Sequence, residues 1–215
     1  MITNRPVSLA DQVFERLEND ILSGVYPRGT VFTEQDICND FGVSRTPVRE
    51  AFARLEQEHI ITTSSKGLVV VGITAEDAII IYTIRQKLEG LAAAECCRKA
   101  TDEQIKELSD LVDLQTYYAE KGDSEKVKQI DSEFHEKIYQ YTGSTVYVDT
   151  LVPLHRKIQK YRKQAVEKES SAMTSCSEHR MISDAIASRI PEKAEEAMNK
   201  HIECAFRRVK ELNIQ

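Results

Sequence analysis

Residues 42–61 read "GVSRTPVREAFARLEQEHII", and where a helix starts inside this stretch decides the N-terminal fold. Gly42 can end one helix, Ser44 can cap the next, and Pro47 falls in the first turn, where its missing N–H costs little. The spacing predicts a helix from Arg45 onward. Val48, Ala51, Phe52 and Leu55 then make a buried stripe, which leaves Arg45, Thr46 and Arg49 together on the other side of its N-terminal half.

Upstream, "TEQDICNDFG" places Thr33 to cap and Asp36 three residues later, with Ile37 and Phe41 one turn apart, so a short helix precedes Gly42. Ser8 with Asp11 forms a second capping box, followed by Leu9, Val13, Leu17 and Ile21 on one face and Gly24 as the stop. Downstream, "IITTS" and "LVVVG" are β-branched runs separated by Ser65-Lys66-Gly67, which reads as a two-stranded hairpin with a basic tip. Together these elements predict a winged helix-turn-helix over residues 1–72. In such a module the second helix enters the major groove, where arginine can pair with guanine O6 and N7, while the wing approaches the backbone or minor groove. Arg45 and Arg49 are read as base or phosphate contacts.

The overall charge opposes this reading. The chain has 29 Lys or Arg against 35 Asp or Glu, and residues 1–72 hold seven basic and ten acidic side chains. Local distribution therefore has to carry the electrostatics, through Arg28, Arg45, Arg49 and Lys66 near the expected DNA face. Binding is expected to need a dimer and to depend strongly on salt. Five cysteines without CxxC spacing point to reduced thiols, not to a disulfide framework or a zinc ribbon. The N-terminus lacks an apolar signal core, and no apolar run approaches the ~18 residues of a membrane span, so a soluble cytoplasmic protein is expected.

Near Gly72-Ile73-Thr74 strand signals stop, and residues 73–215 read as an all-α antiparallel bundle. Thr74 with Asp77 opens a helix to Arg98, Thr101 with Gln104 opens one to Lys121, and Gly122-Asp123 introduces a third that ends by Thr142-Gly143. A fourth runs from Ser144 to Glu169, kinked or divided at Pro153. The serine-rich patch at 170–177 reads as a helix connection, followed by helices from Thr174 to Arg189 and from Pro191 to Leu212. The fold class is thus mainly α, a winged helix-turn-helix followed by a six-helix bundle.

Four side chains of the bundle stand out. Asp131 and His135 are four apart and share a helix face, while His179 and His201 lie near the middle of two later helices with apolar neighbours at helical spacing. Three imidazoles and a carboxylate can bind a divalent transition metal, zinc foremost, with nickel, manganese or iron also suited to these donors. Each histidine taken alone is more often a surface or satisfied core residue than a ligand.

The stretch "VSRTPVREAFARLEQEHII" resembles the recognition-helix signature of the GntR superfamily of bacterial transcription regulators. The resemblance implies that Gln35, Ser44, Arg45, Thr46 and Arg49 belong to the operator-contacting set, with Lys66 and Gly67 on the wing. Two positions depart from the family pattern. A glycine before the first wing strand is His59, read as a tolerated surface residue, and an often basic position is Gln35. The bundle resembles the FCD domain of the fatty-acid-regulator-type branch, in its vanillate-regulator-like six-helix subgroup. Its metal-binding members show an Asp-x3-His pair and two later histidines, which Asp131, His135, His179 and His201 match. His155 matches no ligand position and is read as solvated or capping.

"YTIRQKLEGLAAAE" is similar to the opening FCD helix, which implies that Arg85 faces the cavity and binds an effector carboxylate through paired hydrogen bonds. A salt bridge from Arg85 to Glu89, one turn on, is the alternative. Ile81, Ile84, Leu88 and Leu91 on the same helix are read as core or subunit contact.

These readings imply a homodimeric regulator on an inverted-repeat, double-stranded operator, controlled by a small organic or sugar acid at the metal site. One alternative is a metal-responsive regulator without an organic effector. The other is a metal-dependent hydrolase fused to a DNA-binding domain. Against the hydrolase, no general base stands beside the site, since Glu178 and Glu203 are expected to face away from the ligands.

Overall fold

The computed structural model describes residues 7–65, 67–158 and 169–211, with side chains of the last segment described from 172 to 210. Lys66 and the expected helical continuation through 159–168 lie outside the described residues. The chain divides into two compact units, one ending at Thr74 and the other beginning at Ala75.

In the first unit, helix α1 spans Leu9–Ser23, α2 spans Glu34–Phe41 and α3 spans Arg45–Gln57. The capping boxes Ser8/Asp11 and Thr33/Asp36 both form, and Gly24 and Gly42 end their helices in the left-handed conformation. Ser44 stands at the N-cap of α3 with extended backbone, but its side chain makes no capping hydrogen bond, contrary to expectation. Val13, Phe14, Leu17, Phe32, Ile37, Val48, Phe52, Leu55 and Ile61 form the core. Arg54 ties α3 to α1 by a 2.6 Å bond to Asp11 and by lying 3.8 Å from the Phe14 ring centroid.

The wing is larger than a hairpin. Strands β2 (Ile61–Ser64) and β3 (Gly67–Val70) pair antiparallel as expected, and a two-residue strand β1 (Val31–Phe32) adds to the other edge of β3 in the register Val31↔Val69. At Gly67, φ is 128° and a Cβ would meet the Phe32 carbonyl oxygen at 3.0 Å, so both conformation and space require glycine. His59 is exposed and has φ 58°, the left-handed region just after α3. That geometry explains why glycine suits the position, and histidine is among the residues that tolerate it.

In the second unit, α4 spans Ala75–Lys99, α5 Asp102–Glu120, α6 Ser124–Tyr141, α7 Thr145–Lys157, α8 Glu169–Ala187 and α9 Pro191–Glu211. Pro153 lies inside α7 without ending it. The serine-rich patch is helical, which corrects its reading as a connection: α8 begins at Glu169, and Ser175 and Cys176 are buried. Burial of one face outweighs the weak helix propensity of serine. No helix among the described residues is long and apolar enough to cross a membrane, and all five cysteines are free thiols.

Helix α4 carries an unusual buried face. Ala78, Ile81, Tyr82, Arg85, Glu89, Ala92, Ala93, Cys96 and Cys97 recur at helical spacing, so two charged side chains sit in the middle of an otherwise apolar stripe. Tyr82 stacks on Phe206 of α9 with ring centroids 5.4 Å apart. Glu89 of this face meets His135 of α6 at 2.8 Å.

Candidate metal centre and nucleic-acid interface

The exposed side of α3 presents Ser44, Arg45, Thr46 and Arg49 together, as its spacing requires. Arg45 donates to Gln35 Oε1 at 2.9 Å, Gln35 donates on to Asn39 at 2.9 Å, and Arg49 reaches Glu34 at 2.9 Å. The arginine pair therefore rests on α2, with Arg49 still 63% exposed. Glu34 is a residue the sequence reading missed, because the contact spans 15 positions and no local pattern marks it. It pairs one of the acids of this unit with an arginine of the exposed face.

In the bundle, Asp131, His135, His179 and His201 converge, all buried. Asp131 and His135 come from α6, His179 from α8 and His201 from α9. A ligand atom from each of the three histidines lies within 4.8 Å of the others. Each ring is oriented from behind. His135 Nδ1 is 2.8 Å from Glu89 Oε2, His179 Nδ1 is 2.7 Å from Gln115 Oε1, and His201 Nδ1 is 2.8 Å from Glu178 Oε2. Arg85 Nε holds Glu89 at 2.5 Å, and Arg208 grips Glu178 through two bonds of 2.7 and 2.8 Å.

These partners settle the tautomers. Burial alone would raise the Glu89 carboxyl, but the Arg85 guanidinium and His135 hold it well below the usual carboxylate range. Burial acts likewise on Glu178, yet Arg208 and His201 bring it down to about 2. Both carboxylates are ionised and can only accept, as the Gln115 oxygen can, so all three Nδ1 atoms donate. Burial lowers His201 to about 4 despite the Glu178 bond, which leaves its ring neutral at neutral pH. With its Nδ1 donating, the neutral His201 ring presents Nε2 as a lone pair, and this atom faces His179 Nε2 at 3.3 Å. Two neutral rings in these tautomers could not bond each other, so the approach needs a positive charge between them, a proton or a metal ion.

The spacing suits a metal ion. Two ligands each about 2.1 Å from one ion lie about 3–4 Å apart, depending on the angle between them. The 3.3 Å gap between His179 and His201 and the 3.8 Å gap between His179 Nε2 and Asp131 Oδ1 both fall in that window. The donor set fits a divalent transition metal, and the carboxylate–imidazole pairs behind it are of the kind that fixes metal-binding histidines.

Three parts of the sequence reading need correction. His155 is neither solvated nor a cap: it is 2% exposed, within the cluster, with Nε2 3.8 Å from Asp131 Oδ2. Burial, then Arg85 and His135 nearby, hold it well below the usual imidazole range. Glu178 does not face away from the ligands, since it bonds His201 across 23 positions of sequence. Arg85 does not project into open space: its Nε is paired with Glu89, the alternative that the spacing left open. Gln115 has no sequence signal at all, being 64 positions from His179.

Residues 80–203 match the family described as FCD domain, and residues 9–71 match the bacterial regulatory proteins of the gntR family. The gluconate operon transcriptional repressor of Bacillus licheniformis is 32% identical over 118 residues, which are 55% of this chain and 49% of that protein. The corresponding repressor of Bacillus subtilis is 32% identical over 59% of this chain and 52% of its own, so the chain spans about half the length of these relatives. The HTH-type transcriptional repressor RspR of Escherichia coli is 25% identical over 89% of this chain and 85% of its own. These domains and relatives are those of transcription regulators, not enzymes. Among solved structures, E. coli McbR/YncC has the same fold, with a TM-score of 0.83 at 20% identity over 96% of this chain and 99% of that one. With the FCD match alone running over more than half of its length, the chain belongs to the gntR family of bacterial regulatory proteins, in the group that carries an FCD domain.

Proposed function

We propose that the chain is a homodimeric, DNA-binding transcription regulator whose operator affinity is set by a divalent transition metal in the bundle and by a small carboxylate effector bound there. The observation that carries the metal part is the convergence of three Nδ1-anchored imidazoles, two of whose Nε2 atoms stand 3.3 Å apart. Asp131, His135, His179 and His201 would hold the ion. It would supply a Lewis-acidic point at which an anion can bind.

Charge supports an anionic effector. Three carboxylates, Glu89, Asp131 and Glu178, stand at the ring cluster against two guanidiniums, Arg85 and Arg208. A divalent ion leaves one positive charge over, which one carboxylate ligand would neutralise in a buried site. The name of the gluconate operon repressors points to the same class, since gluconate is a sugar acid. An effector reaching Arg85 would do so in exchange with Glu89. That closed pair also favours the second reading, a regulator answering to the metal alone.

Operator DNA selected from a random library, titrated by fluorescence anisotropy at fixed salt, separates these readings. Metal-loaded protein with an effective organic or sugar acid is expected to differ about 5- to 150-fold in operator affinity from the same protein without the acid. A change on chelation with no acid producing a further one would favour the metal-only regulator. Equal affinity in every state would end the metal-control proposal.

The dimer reading draws on α4. Ile80, Ile84 and Leu91 are 52%, 39% and 46% exposed and, with half-buried Leu88, form one stripe at helical spacing. A charge there is costly only if the stripe is covered. Ile84→Glu combined with Leu91→Glu is expected to sediment as a monomer and to lose operator affinity, whereas an unchanged dimer would place the interface elsewhere.

A further inference from the structure

We infer that His155 is a fifth protein ligand to the ion held by Asp131, His135, His179 and His201, an assignment that rests on the metal-site reading above. His155 lies in the last turn of α7, a helix that otherwise adds nothing to the cluster. Its ring is 2% exposed, and its Nε2 has no hydrogen-bond partner among the described residues. A buried imidazole nitrogen left so costs stability, and native structures rarely tolerate it without a reason.

Packing alone does not supply that reason. The Nε2 atom stands 3.8 Å from Asp131 Oδ2, beyond hydrogen-bond range but inside the spacing of two ligands on one ion. Asp131 keeps the same 3.8 Å from His179 Nε2 through its other oxygen. The carboxylate thus lies between the two rings, one oxygen toward each. The ring centroids of His135 and His155 are 4.9 Å apart, comparable to the 5.2 Å between His135 and His201. A ligand atom from each of Asp131, His135 and His155 lies within 4.8 Å of the other two, as it does for His135, His179 and His201. The two triads share His135, and Asp131 of one stands 3.8 Å from His179 of the other.

Two consequences follow for the ligand chemistry. Four imidazoles and a carboxylate exceed the tetrahedral set of a structural zinc site and suit an ion that takes five or six nitrogen and oxygen ligands, such as nickel, cobalt, iron or manganese. On a six-coordinate ion one position stays open. The effector would then bind through a single carboxylate oxygen, and a chelating hydroxy acid would have to displace His155.

Long-range proton–nitrogen correlation spectra of the wild-type chain, recorded before and after loading with cadmium(II), a diamagnetic ion that readily takes six ligands, count the imidazoles that bind. Four shifted rings, His155 among them, are expected; three without His155 would overturn the assignment. Cobalt(II) titration of the wild type, His155→Gln and His155→Phe gives a second readout. Loss of His155 is expected to weaken cobalt binding at least about 10-fold, the lower end of what losing even a supporting residue costs, and to intensify the visible bands as coordination number falls. Equal affinity with identical bands would make His155 a packing residue. If no ring of the wild type shifts with metal, the metal-site reading falls and takes this assignment with it, a result distinct from three shifted rings.

Discussion

Arg49→Ala is expected to abolish specific operator binding while leaving the winged unit folded, and Arg45→Ala to do nearly the same. Each arginine projects from the solvent side of α3, whose opposite face is fully used in the core, so removing it leaves no cavity. A bidentate arginine–guanine contact is worth about 1–3 kcal/mol of discrimination, and a two-fold dimer loses it twice, so affinity should fall roughly 30-fold to 10⁴-fold. The contacts to Glu34 and Gln35 are exposed pairs and contribute little to stability. Glu34→Gln serves as the contrast: it frees Arg49 and removes a negative charge from the DNA-facing side, so binding should hold or tighten. Anisotropy against selected and scrambled DNA reads both. Operator affinity unchanged in Arg49→Ala would move the reading element off α3, while a uniform loss on both DNAs would make Arg49 a phosphate contact.

His179→Ala or His201→Ala is expected to strip the bundle of its metal. Outer partners of metal-binding histidines typically cost 10- to 100-fold in affinity, so loss of a ligand should exceed about 100-fold. Glu178→Gln should fall within that lower range, because the amide can still accept from His201 Nδ1 but leaves Arg208 without its charge partner. Metal content after dialysis gives the first readout. Thermal unfolding gives the second: an ion at 100 times its dissociation constant stabilises the folded state by about 2.7 kcal/mol, which the wild type should gain and the variants should not. Circular dichroism checks that the variants fold. Stoichiometric metal in both histidine variants would make the rings structural, and the close approach of His179 and His201 would then need a proton in place of an ion.

How much of this was visible in the chain itself depends on the range of each interaction. The capping boxes at Ser8, Thr33 and Thr101 formed as read, because a cap involves residues three apart and little else. The buried and exposed sides of α3 follow from one helical period, as does the pairing of Asp131 with His135 on one face. Strand β1 was missed because two residues carry no period; it exists only where β3 offers its edge. The serine patch misled because propensity is a weak preference, and burial of Ser175 and Cys176 overrode it.

The sequence alone therefore determined the order of helices, the exposed side of α3 and which four side chains could meet in the bundle. Tertiary structure decided what those side chains meet: Glu89, Gln115 and Glu178 behind the rings, and His155 inside the cluster. The physical reason is separation along the chain. Contacts spanning 46, 64 and 23 residues leave no periodic trace, and whether a buried charge is a ligand, a support or a counter-ion depends on the few ångströms that only packed helices define.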